Sequence, residues 1–185
     1  MKTTAPSLLA TLALVAAFAS SGRAAEPAPG YVDFGNITAS KKGEYVEVRL
    51  NGFFLRLAAK FAQHEDPAAA ELLEGLSSVR VNVFGLDEDN RAAAVERVGN
   101  VRQQLEDKGW EKIVTVRGKH EEDVAVFVKH RGEEMIEGLV VTVIDGRKQE
   151  AVFVNIVGNI KPDQLTSLAK HLHIDHLNVG DKATI

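Results

Sequence analysis

The chain has no cysteine. That excludes disulfides, thiol catalysis, zinc–thiolate centres and a lipid-modified cysteine. Tryptophan occurs once, tyrosine and methionine twice each, and proline five times in 185 residues. No apolar run reaches the roughly 20 residues of a spanning helix. No basic excess exists either, since the formal net charge is −4. Such a chain has no electrostatic reason to bind phosphate backbones, so nucleic acid is not an expected partner. Four catalytic signatures are also missing: the serine elbow G-x-S-x-G, the dinucleotide loop G-x-G-x-x-G, the P-loop, and the zinc helix H-E-x-x-H.

The N-terminus carries the clearest pattern. Met1-Lys2 opens a short positive region, and Leu8 to Phe18 forms an uncharged run. Gly22 and Ala24 place small residues at −3 and −1 of a cut after Ala24. This predicts a cleaved secretory signal peptide over 1–24. Residues 25–30, with Pro27 and Pro29, read as an extended spacer. One α+β domain over 31–177 and a tail over 178–185 complete the expected organisation. The 161 residues left after the cut suffice for a single hydrophobic core. Losing Lys2 and Arg23 takes the net charge to −6. The product is expected to be soluble and either periplasmic or secreted.

Periodicity supplies the elements. Tyr31 to Phe34 suits a short strand. Tyr45 to Leu50 alternates, with Val46, Val48 and Leu50 on one face. Phe54, Leu57 and Phe61 then recur at helical spacing, with Arg56, Lys60 and Gln63 on the other side. That predicts a helix packing against a sheet through its aromatic stripe. Asp66-Pro67 starts a second helix that Gly75 stops. Val79, Val81 and Val83 mark a strand. Asp87-Glu88-Asp89-Asn90 leads into a long helix from Arg91 to Lys108, with Val95, Val98, Val101 and Leu105 as its stripe.

After Trp110 only strands follow: Ile113–Arg117, Val124–Lys129, Met135–Ile144 and Ala151–Val157. Their short connections force antiparallel pairing, and Asp145-Gly146 signals a two-residue hairpin. Gly138 inside a strand suggests a bulge. Strands 124–129 and 151–157 are apolar almost throughout and so are expected to be central. A last helix is expected over Pro162–Leu172. The fold class is α+β: an antiparallel-rich sheet with helices packed mainly on one face. The other face should be partly polar, carrying Arg80, Asn82, Thr115 and Arg117.

Two segments echo each other. Val79-Arg80-Val81-Asn82-Val83-Phe84-Gly85 and Val152-Phe153-Val154-Asn155-Ile156-Val157-Gly158 both read V-x-V-N-[VI]-x-G. Duplication of a strand-loop-helix unit and chance both account for it. Asn82 and Asn155 are read as structural amides, which need partners when buried.

The same segments carry a resemblance. VRVNVFGL, GWEKIVTVR, IEGLVVTV and EAVFVNIVGNIKPDQL together resemble a bacterial family of exported proteins known as domain of unknown function 4252. The resemblance covers Tyr31 to Leu177. It supplies no catalytic residues to carry over, and no cofactor is expected. It does imply a link to envelope-stress responses, through an envelope protein as partner.

Residues with chemical potential are few. His171, His173, Asp175 and His176 are the one constellation of metal-ligand type. They support a second reading, a metal-dependent hydrolase. Asp87 to Asn90 begins like a calcium loop, but Ala92 stands where the sixth-position glycine belongs and Val98 where the twelfth-position glutamate belongs. It is better read as a helix start, capped by Asp87 or Asp89. Glu121-Glu122-Asp123 and Glu133-Glu134 sit near hairpin ends, where acids are solvated. His64, His120 and His130 fall at element ends, and Trp110 covers the core edge. No catalytic, cofactor-binding or metal residue is assigned. The expected function is that of an exported, non-enzymatic domain that binds a partner. Mass spectrometry of exported protein should find Ala25 at the N-terminus. Intact Met1 would contradict the leader.

Overall fold

A computed structural model describes residues 28–35, 44–119 and 121–164. The expected signal peptide, the expected Ser40–Gly43 turn, His120, the expected last helix beyond Gln164 and the C-terminal histidines lie outside these residues. The element order is β1 (Tyr45–Asn51), α1 (Gly52–Ala62), α2 (Pro67–Gly75), β2 (Leu76–Gly85), α3 (Arg91–Asp107), β3 (Glu111–Arg117), β4 (Asp123–Arg131), β5 (Met135–Asp145) and β6 (Glu150–Ile160). The six strands form one open sheet in the order β1-β2-β6-β5-β4-β3, every pair antiparallel. This is the α+β class that the strand and helix patterns imply.

Local chemistry sets most boundaries. The Asn51 side chain accepts from the Phe53 and Phe54 amides and starts α1. Asp66 does the same for α2 through Ala69 N at 2.9 Å, ahead of Pro67. At the end of α3, Gly109 adopts φ +72°, and Trp110 N returns to Leu105 O at 2.9 Å. That glycine C-cap turns the chain directly into β3. The β5–β6 connection is longer than two residues, because Asp145 pairs with Glu150. Asp145 Oδ1 accepts from both the Arg147 and Lys148 amides, which closes a four-residue turn.

The alternation of the sheet sorts its side chains by face. One face carries Phe84, Ala125, Phe127, Val140, Ile144 and Phe153, packed under Ala94, Val98, Val101 and Leu105 of α3. Val95, expected in that stripe, is exposed instead. Arg80, Asn82, Thr115 and Arg117 share this α3-covered face, since each lies in register with its members. The polar residues are therefore not opposite the helix, as expected, but around its margins. The opposite face is aliphatic from edge to edge: Val46, Val48, Val79, Val81, Val154 and Val141 are among its members. Leu55 of α1 and Leu72 of α2 pack with Leu76, Ile136 and Ile160 of that face's cluster.

The helix α1 is turned about from its expected orientation. Its buried residues are Leu55 and Ala59. Phe54, Leu57 and Phe61 point outward, and so does Phe53. Both sides of α1 are apolar, so periodicity alone could not say which one the sheet would take.

Tyr31 to Phe34 is not a strand. It is an irregular strap laid on the α3-covered face and held by side chains. Asn155, 1% exposed, donates from Nδ2 to Gly30 O at 2.9 Å and accepts from Val32 N at 3.0 Å. Arg97 of α3 donates to Phe34 O at 2.6 Å. Phe34 is buried against Phe153, with centroids 5.1 Å apart. A strand cannot form there because the strap crosses the face of the sheet, where no backbone partner is offered.

Gly138 marks the expected irregularity: register shifts occur beside it in both β4–β5 and β5–β6. Its bare Cα also allows a close approach. A Cβ there would stand 2.5 Å from Trp110 Cη2 and 2.7 Å from Gly30 Cα. Trp110 is buried, as a core-edge cover should be.

The sequence echo gains a geometric meaning. Val81 lies opposite Val154, its own counterpart in the echo, and Val79–Ile156 mirrors Val83–Val152. The ladder maps onto itself when the two segments are exchanged, which is the register a two-fold-related duplication requires. Replacing Asn155 by Ala should cost about 2 kcal/mol, because it strands the strap's buried polar groups. Phe153→Ala should cost about 4 kcal/mol. Urea unfolding would measure both, and an unchanged midpoint for Asn155→Ala would contradict the strap's anchoring.

Candidate functional site

Two features stand out among the described residues: a charged cleft beside α3 and a polar cluster near β1. The cleft lies between α3 and the β3–β4 edge of the sheet. Its larger lobe, of about 790 Å³, is lined by Arg91, Val95, Arg117, Glu121, Glu122 and Ile144 among others. A second lobe, of about 370 Å³, shares Val95, Arg117, Asp123 and Ile144 and adds Val98 and Arg102.

The acids that the sequence placed at a hairpin end converge here. Each has an arginine. Glu121 pairs with Arg91 at 2.7 Å, Glu122 pairs with Arg147, and Asp123 takes Arg102 on both oxygens at 2.9 Å. Arg102 also donates to Thr142 Oγ1, a fully buried hydroxyl, at 2.9 Å. With Nη1 shared between the two Asp123 oxygens and Nε on Thr142, Arg102 clamps α3 to β4 and β5. All three carboxylates of the cleft are thus held by cations. Arg117 makes no ion pair among the described residues.

Glu133 and Glu134 are exposed in the turn between β4 and β5, away from the other three acids. His130 sits 3.1 Å from Glu111 Oε2 at the surface, and His64 is exposed. The Asp87–Asn90 loop is closed on itself. Asp87 Oδ1 accepts from the Asp89 and Asn90 amides, Asn90 Oδ1 accepts from Asp87 N, and Asn90 Nδ2 donates to Gly85 O. The N-cap residue is Asn90, whose side chain makes no cap bond. The loop's polar atoms shape the turn into α3. Among the described residues no group of three or more His, Asp or Glu could hold a metal ion.

The second feature was only half legible in the sequence, through Asn82. Around it lie Tyr31, Tyr45, Glu47, Arg49 and Arg80. Asn82 Nδ2 donates to Tyr45 Oη at 3.1 Å, while its buried Oδ1 accepts nothing. Arg80 donates to Tyr31 Oη at 2.9 Å. Glu47 receives Arg49 at 2.6 Å and Arg80 at 3.4 Å. The Arg49 hydrogen bond, aided by Asn82 and Tyr45, holds the Glu47 carboxyl well below its usual range, at about 2. The cluster fixes β1 to β2 and the strap to β2. Tyr31 and Arg80 are 49 residues apart, and only the register brings them together.

A family model for Domain of unknown function (DUF4252) matches residues 40–168. The chain belongs to that family. The match spans every strand and helix described in this DUF4252 protein and leaves out the strap at 28–35. No curated protein and no solved structure matches the chain. Among the described residues no helix is long and apolar enough to cross a membrane.

The depressed pKa of Glu47 sets a pH response. Its folded value lies below the ordinary 4.5, so its contribution is present above that value and is lost as pH falls toward 2. Glu47→Gln should flatten the stability profile between about pH 5 and pH 2. Equal slopes for the two proteins in acid denaturation would contradict the pairing.

Proposed function

We propose that this DUF4252 protein is an exported domain that acts by binding a protein partner in the cell envelope, not by catalysis. The leader pattern over 1–24 supports export. The pairing of the cleft's acids with arginines supports a binding role. The observation that carries the reading is the edge strand β1.

An open strand edge is a template for another chain, and proteins usually protect it. The two edges here differ in this respect. β3 is broken by a register shift between Lys112 and Val114, and it carries Glu111, Lys112 and Arg117. β1 has no proline and no bulge, and it pairs with β2 without interruption from Tyr45–Phe84 to Asn51–Ser78. Its Val46, Val48 and Leu50 are 38–47% exposed. Its Glu47 and Arg49 neutralise each other. The occupant that fits is an extended segment of a partner protein, added as a seventh strand with alternate apolar side chains beside Val46 and Val48.

A photo-cross-linking residue at position 46 tests this in exporting cells. One discrete adduct is expected, abolished by Val48→Lys and absent when the probe is at Thr115 of β3. Equal labelling from both edges, or an adduct indifferent to Val48→Lys, would contradict the reading.

A further inference from the structure

We propose that the outward face of α1 is a contact for an anionic lipid surface. The inference is independent of the β1 reading. α1 is held to the domain through Leu55 and Ala59. Directly opposite, Phe53, Phe54, Leu57 and Phe61 are 64%, 53%, 42% and 76% exposed. Three outward phenylalanines on one short helix are far from the scattered apolar residues of an ordinary surface.

Charge selects the occupant. From Asn51 to His64 the only charged residues are Arg56 and Lys60. Neither forms an ion pair among the described residues. The chain as a whole is acidic, at −4, so this cationic helix stands apart from its surroundings. Aromatic side chains beside long basic ones are the composition of helices that lie in a lipid headgroup layer. The rings enter the acyl boundary, and the cations reach phosphate.

Area and symmetry argue against a second copy. The four side chains expose on the order of 450 Å², from about 200 Å² per aromatic ring. A stable protein interface buries about 800 Å² on each partner. A two-fold contact through this face would also bring Arg56 and Lys60 toward their own images, like charge against like. A lipid surface imposes neither demand. It takes a small wedge and supplies negative charge, and α1 lies flat on it without spanning it.

The test is co-sedimentation of the protein isolated from exporting cells with vesicles of phosphatidylglycerol and phosphatidylcholine, set against pure phosphatidylcholine vesicles. The wild-type protein should bind the anionic vesicles, and high salt should weaken the binding. Phe53→Ser with Phe61→Ser should lower that affinity on the order of tenfold or more. Arg56→Glu with Lys60→Glu should lower it similarly while leaving the aromatic face intact, which guards against a variant that fails to fold. All the proteins are taken after export with the same N-terminus, so the differences report α1 alone. Three results would overturn the proposal: equal binding by all variants, no wild-type binding to anionic vesicles, or a wild-type dimer in sedimentation that Phe53→Ser with Phe61→Ser dissolves.

Discussion

Val81 faces Val154 across the β2–β6 ladder, and that pairing decides where most other side chains go. In a sheet, a shift of one residue sends every side chain to the other face. With this register, valines from neighbouring strands line up on one side. Asn82, Phe84, Phe153 and Asn155 fall on the other. The packing of α3 on Phe127 and Phe153 follows, and so does the docking of the strap on Asn155. The two faces do different work. One is covered by α3 and the strap. The other is a uniform aliphatic sheet, against which α1 and α2 place Leu55 and Leu72.

Much of this was written in the sequence at short range. Alternating valines located β2, and the Asp66-Pro67 and Gly109 signals located helix ends, because each depends only on neighbours in the chain. Gly138 was legible for the same reason. What depended on distant partners was not. Phe54, Leu57 and Phe61 announced an apolar helix side, but Leu55 and Ala59 formed a second one, and the sheet took the smaller. Tyr31 to Phe34 looked like a strand because aromatic and β-branched residues favour one. Its neighbours in space are side chains of β6 and α3, so it became a strap. The polar row Arg80 and Asn82 was assigned to water. In the fold it is the anchor for Tyr31 and Tyr45.

The candidate site shows the same division. Glu121, Glu122 and Asp123 drew attention as acids near a turn, and they do meet in a cleft. Their meaning lies in Arg91, Arg102 and Arg147, which come from α3 and the β5–β6 turn and which no local pattern links to them. The outward side of α1 and the unbroken edge of β1 are adjacent in sequence, joined at Asn51. A domain resting on lipid through the first and offering the second to a partner is the picture these surfaces support.

Because the protein has no cysteine, the central register can be read by placing two. Residues directly opposite in an antiparallel pair have Cα atoms about 4.5–5.5 Å apart, within disulfide reach. Val81→Cys with Val154→Cys should form an intramolecular disulfide on mild oxidation in the folded protein, seen as a loss of two hydrogens in its mass. Val81→Cys with Phe153→Cys should not, because those side chains lie on opposite faces. A disulfide in the second pair and none in the first would contradict the register and the division of faces built on it.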